Sequence, residues 1–221
     1  MNTIQSLELP KFVGHYIISD QVPPIEAIKY EYLLAGNGLF IRAKRNEFSV
    51  CLPISEITVK ELPKASCQIN WNIPEIPKNI WREILSNARE GLDSIQFRED
   101  VYVVCWNKKD LEWRWKNIGT NRTYASAIAD DSLEEYNNTC LEIHTHPPGA
   151  NYFSRMDDRD ESGKFRLFGI LIDIHSSHPK VRFRCGIYDY FVEIPAALIS
   201  EMPEELVDLN CLEIPLHKGL M

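Results

Sequence analysis

The chain has 221 residues, 44% hydrophobic, 25% charged and 10% aromatic, a composition that excludes a disordered, fibrous or low-complexity protein and allows a sizeable core. Its formal net charge of −8 excludes a general nucleic-acid binder, because phosphate neutralisation needs clustered Lys and Arg. The start, MNTIQSLELPKFVGHYIISD, lacks a basic segment followed by a long apolar one, and no apolar run approaches bilayer length, so a cytoplasmic protein with no membrane partner is expected.

In chain order, short β-rich runs at Ile28 to Ala35, Leu39 to Ala43 and Phe48 to Leu52 are separated by Gly36-Asn37-Gly38 and Lys44-Arg45-Asn46, which predicts a small meander. Prolines at 63, 74 and 77 punctuate the next stretch and place a domain boundary near residue 75. The organisation expected is a β-rich domain over 1–75, a main domain over 76–203 and a tail over 204–221. From Pro77 the period changes: Ile80, Trp81, Ile84, Leu85 and Ala88 recur at helical spacing, with Gly91 as the stop. Val101 to Trp106 and Leu111 to Ile118 read as an aromatic hairpin, with Trp81, Trp106, Trp113 and Trp115 expected to pack. A strand follows from about Thr139 to His144, and a final meander over Leu167 to Ile174, Val181 to Ile187 and Tyr190 to Ile194. Pro195 opens a short helix. The six cysteines, at 51, 67, 105, 140, 185 and 211, include no C-x-x-C pair and are expected to be reduced.

The chemistry concentrates in LEIHTHPPG. His144 and His146 stand two residues apart at the end of an apolar strand, so both imidazoles project from one face and can reach one ion. A catalytic zinc takes three protein ligands and leaves a position for water; Asp157, eleven residues after His146, can supply the third. H-x-H alone is a weak signal. Ser154-Arg155-Met156-Asp157 also reads as a helix capping box, which is compatible with ligation because it fixes the carboxylate at the first turn. Asp158, Asp160 and Glu161 read as a solvated acidic helix face, paired locally with Arg155 and Arg159. His175 and His178 flank a turn and are expected to be solvated, and His15 and His217 are isolated.

H-T-H, seven residues, Ser, two residues, Asp is the spacing of His144-Thr145-His146, Ser154 and Asp157, and it resembles the JAMM motif of the JAB/MPN metallopeptidases. The resemblance covers roughly residues 76–200. It implies an α/β, deaminase-like sandwich with a central mixed sheet, here preceded by the β-rich N-terminal domain. It also implies Zn²⁺ held by His144, His146 and Asp157, with Ser154 hydrogen-bonded to the tetrahedral intermediate and an upstream glutamate acting on the water. Glu99 in FREDVYVVCW occupies that glutamate's place at the start of a strand; Glu90, near a helix C-terminus, is the runner-up, and Glu142 ranks below both. More narrowly, FSRMDDRDESGKFRLFGI and the β-rich start look like the JAB-type protein of the PRTRC mobile-element cassettes, encoded beside ThiF-like and ubiquitin-like partners. A cytidine deaminase would need H-x-E and P-C-x-x-C, and neither occurs.

The activity implied is hydrolysis of a peptide or isopeptide bond, with a ubiquitin-like protein or peptide as substrate and a ThiF/E1-like protein as a further partner. The alternatives are a non-catalytic MPN-like scaffold, disfavoured because every motif residue is retained, and an N-terminal domain that recruits a partner. Nothing in the sequence sets an oligomeric state.

Overall fold

A computed structural model describes residues 11–19, 22–90 and 97–210. Those up to Asn70 form one compact unit and those from Trp71 onward a second.

The first unit is a five-stranded sheet in sequential order: β1 (Val13–Ile17), β2 (Tyr30–Ala35), β3 (Gly38–Lys44), β4 (Phe48–Ser55) and β5 (Gln68–Trp71). β2 to β4 follow the apolar alternation of the sequence. β1 lies parallel to β2, an unforeseen addition, because Val13 and Ile17 are exposed and leave no alternation to read. Ile18, Leu33, Ala35 and Phe40 make a core here. Glu31 is fully buried and pairs with Arg42, while its other oxygen accepts the N–H groups of Glu26 and Ala27 at 2.8 and 2.9 Å. That is the satisfaction a buried charge requires.

The second unit begins with helix α1 (Lys78–Glu90), which buries Ile80, Trp81, Ile84, Leu85 and Ala88, the five positions that set its period. The expected stop at Gly91 lies outside the described residues. Then come β6 (Val101–Asn107), β7 (Glu112–Asn117), the short β8 (Gly119–Thr120) and β9 (Ile128–Ala129), and α2 (Glu134–Asn137). β10 (Leu141–Thr145), α3 (Arg155–Glu161), β11 (Lys164–Ile172), β12 (Lys180–Tyr188) and β13 (Tyr190–Ile194) follow, then a 3₁₀ turn at Ala196–Leu198 and β14 (Val207–Asp208).

The main sheet has the order β13-β12-β11-β10-β6-β7, with β14 pairing β12. β10 and β11 run parallel, whereas β6/β10, β6/β7, β11/β12 and β12/β13 are antiparallel, so the sheet is mixed and the unit is α/β. α1 covers one face: the Trp81 ring lies 5.5 Å from that of Phe183, and Trp115 donates to Glu83 at 2.7 Å. Trp81 is fully buried, while Trp106, Trp113 and Trp115 are half-buried. The Phe183 ring lies over Gly169 on the neighbouring strand, and that of Phe168 over Gly186 on the opposite face; a Cβ on either glycine would come within 2.6 or 2.5 Å of the ring.

Two departures from the sequence reading have clear causes. β11 starts at Lys164 rather than Leu167 because Lys164 and Arg166 occupy inward positions, paired with Glu142 and stacked on Tyr136, and so conceal the strand as a polar stretch. The expected irregular tail instead supplies β14, and Asp208 and Asn210 there accept the N–H groups of Ala196 and Phe183 at 2.7 and 2.9 Å. Of the five described cysteines, Cys140 and Cys185 are buried and Cys51, Cys67 and Cys105 half-buried; Cys211 and His217 lie outside the described residues.

Candidate metal centre

β10 places Glu142 and His144 on the sheet face opposite α1, and the backbone N–H of His146 donates to Leu171 at 2.8 Å, carrying the alternation one residue past the strand. Both imidazoles therefore emerge on one side, as period two requires. The Nε2 atoms of His144 and His146 stand 2.9 Å apart, and the Asp157 carboxylate lies 3.2 Å from the first and 3.5 Å from the second. All three side chains are largely shielded from solvent. One nitrogen or oxygen from each residue lies within 4.8 Å of the others.

These donors fit a divalent metal. Zn–N bonds of about 2.0–2.1 Å at a tetrahedral angle put neighbouring donors about 3.3 Å apart, a spacing that the observed 2.9, 3.2 and 3.5 Å bracket. His146 Nδ1 faces the carbonyl oxygen of Ala150 at 3.0 Å. A proton on Nδ1 leaves Nε2 with a bare lone pair aimed at the cluster, the second contact that orients a ligating histidine.

Asp157 is delivered by the start of α3. Ser154 caps the helix, its Oγ accepting from the N–H groups of Met156 and Asp157 at 3.2 and 3.3 Å, and Asp157 accepts from the N–H of Ser154 in return. The capping-box contacts thus hold the Asp157 carboxylate beside the two histidines. Burial would raise its carboxyl, but the two histidines and the Ser154 N–H prevail and hold it well below the usual range. For His146, burial opposes the charged form, yet Asp157, the Ala150 carbonyl and Glu99 together hold its pKa above the ordinary value.

Glu99 is buried at 7% exposure, and among the described residues its carboxylate has no hydrogen-bond partner. Burial pushes it up to about 7, with His146 pulling down and Asp157 pushing up, so its charge is coupled to the cluster. The other carboxylates are engaged elsewhere. Glu90 accepts from Ser86 on the exposed side of α1 at 3.2 Å, and Glu142 pairs with Arg166 at 2.5 Å. His175 and His178 are exposed in their turn, and His15 is exposed on β1.

The solvated acidic face expected of α3 is corrected in part. Glu161 is 3% exposed and pairs with Arg184 at 2.7 Å, and Asp158 meets the same guanidinium at 2.6 Å. No local spacing pattern links Arg184 to α3. Thr145 was also passed over: its hydroxyl accepts the Asp100 N–H at 2.8 Å. A β-branched residue between two candidate ligands was the only signal available.

Residues 77–186 match the family model described as prokaryotic homologs of the JAB domain. Neither the curated proteins nor the solved structures gave a match.

Proposed function

Since the chain belongs, through residues 77–186, to the prokaryotic branch of the JAB family, we propose that it is a zinc-dependent peptidase or isopeptidase acting on a ubiquitin-like protein or its conjugate. The observation that carries this is the convergence of His144, His146 and Asp157; the buried Glu99 carboxylate, pushed up by burial and coupled to His146 and Asp157, supports the role of base. A general base works best with a pKa near the operating pH.

His144, His146 and Asp157 would hold the zinc, which when bound would supply Lewis acidity and lower the pKa of a water toward about 7. Glu99 would take a proton from the attacking water and return it to the leaving nitrogen. Ser154 Oγ already accepts two backbone N–H groups, so its own hydroxyl proton is the one it has to offer, and it donates to the developing oxyanion. The Ala150 carbonyl keeps the proton of His146 on Nδ1 throughout. The ubiquitin-like substrate and a ThiF/E1-like partner, as in PRTRC cassettes, follow from the motif resemblance.

The test is metal analysis of the purified chain and of His146→Ala, with cleavage of a ubiquitin-like fusion. About one equivalent of zinc, lost in the variant, with cleavage that needs zinc, is the expected result. Zinc far below stoichiometry in both proteins would overturn the assignment, and stoichiometric zinc without cleavage of any ubiquitin-like fusion would favour the scaffold.

A further inference from the structure

α3 carries the third donor, yet it is seven residues long and its only buried residue is Glu161. An isolated helix of that length is not stable in water, and this one has no apolar stripe to bury. Besides the Asp157 contacts to the histidines and the Ser162 hydroxyl donating to Asp189 at 2.6 Å, what holds it is one side chain from β12. Arg184, 5% exposed, donates from Nε to Glu161 at 2.7 Å and from Nη1 to Asp158 at 2.6 Å, and these carboxylates stand i, i+3 on one side of the helix. The guanidinium faces are taken as well: the Phe153 ring centre lies 3.9 Å away and that of Phe191 4.1 Å. Gly186, two residues further along β12, allows the crowding, since a Cβ there would meet Phe168 at 2.5 Å and Phe191 at 3.4 Å.

These contacts bracket the donor. Phe153 precedes Ser154, the cap of α3, and its ring stands edge-on to His144 with centroids 6.3 Å apart. Asp158 follows Asp157. The chain is therefore gripped on both sides of Ser154 and Asp157 by one cation.

We propose that Arg184 is the positioning residue that clamps Phe153, Asp158 and Glu161 so that Ser154 and Asp157 are held beside the two histidines. The clamp needs arginine: a lysine keeps the charge but has neither the planar fork for two carboxylates nor faces for two rings. Its role presupposes that His144, His146 and Asp157 take a metal.

Removing Arg184 alone strands a buried carboxylate, so the decisive variant is Arg184→Leu combined with Glu161→Leu, which removes both charges and by precedent leaves stability near or above wild type. Three measurements apply: zinc affinity by chelator competition, the visible spectrum of the cobalt(II) form, and hydrogen exchange of the metal-free protein. In the double variant, zinc affinity falls roughly 10–100-fold, the range for lost supporting contacts. The cobalt bands shift, and exchange rises over 153–161 while β11 and β12 stay protected. Arg184→Lys shows the same changes in weaker form.

Unchanged zinc affinity and cobalt spectrum in a folded double variant would overturn the proposal. So would a fall in melting temperature with wild-type zinc affinity. If the wild-type chain takes no metal, the zinc assignment fails instead, and unchanged exchange over 153–161 in the metal-free variant still overturns the clamp.

Discussion

Thr145 and Asp100 hold each other by a reciprocal pair of hydrogen bonds: the Thr145 hydroxyl accepts the Asp100 N–H at 2.8 Å, and the Asp100 carbonyl accepts the Thr145 N–H at 3.0 Å. Thr145 sits between the two histidines, and Asp100 follows Glu99. The Glu99 N–H is pinned in turn to the Thr123 carbonyl at 2.9 Å, and the Asp100 carboxylate to Arg122 at 2.7 Å. The placement of Glu99 relative to the two histidines is thus set by backbone.

Thr145→Val keeps shape and loses the acceptor. Thr145 is 1% exposed, so the Asp100 N–H is left unsatisfied in a buried place, at a cost of about 1–3 kcal/mol. Thermal unfolding is expected to drop by several degrees, with Thr145→Ser close to wild type and zinc content unchanged in both. Equal melting temperatures for the two variants would count against the contact.

Glu99→Gln preserves size while removing the carboxylate proposed as the base. Turnover of a ubiquitin-like fusion is expected to fall about 10²–10⁴-fold, the usual contribution of a positioned acid or base, with zinc stoichiometry intact. Single-turnover kinetics together with metal analysis check it; loss of zinc in this variant would make Glu99 a ligand instead.

Metal capture should weaken as pH falls. The pKa of His146 is raised, so its imidazolium persists to higher pH than in a free histidine, and a protonated ring cannot ligate. Asp157, held low, stays ionised through the same range and is not the group that titrates. Affinity is present above the His146 pKa and lost as pH drops through it, with protons released on binding. Calorimetry in buffers of different ionisation enthalpy should show that release; a pH-independent affinity would exclude His146 as a ligand.

Gly169→Ala and Gly186→Ala each place a methyl against a fully buried phenylalanine ring, Phe183 and Phe168 respectively. Each should cost about 1–3 kcal/mol as overpacking, read as a lower denaturation midpoint at unchanged slope. A neutral effect at either site would mean that the ring has room to shift.

The sequence revealed what depends on local pattern. The five apolar positions of α1 and the β-branched runs of β3, β4, β12 and β13 marked their own elements. His144, His146, Ser154 and Asp157 lie within one short stretch at fixed spacing, and the structure brings the three donors together. What stayed hidden depends on partners distant in sequence. Lys164 and Arg166 looked like loop residues because their carboxylate and aromatic partners are on other elements. Glu161 looked solvated because nothing in its own helix announces Arg184. The parallel pairing of β10 with β11 has no signature in either strand.

That parallel pairing has a topological consequence. Two neighbouring strands joined by a tight hairpin would turn back within a few residues; parallel neighbours oblige the chain to travel from the end of one strand to the start of the next. Here that crossover departs at His146 and returns at Lys164, carrying the Ala150 carbonyl, Ser154 and Asp157 over the sheet on the way. The cluster's place outside the carboxyl end of β10 is thus a product of strand direction, the location that open α/β sheets generally reserve for ligands. Reversing β10 against β11 would keep every residue of the motif and abolish the place where they meet.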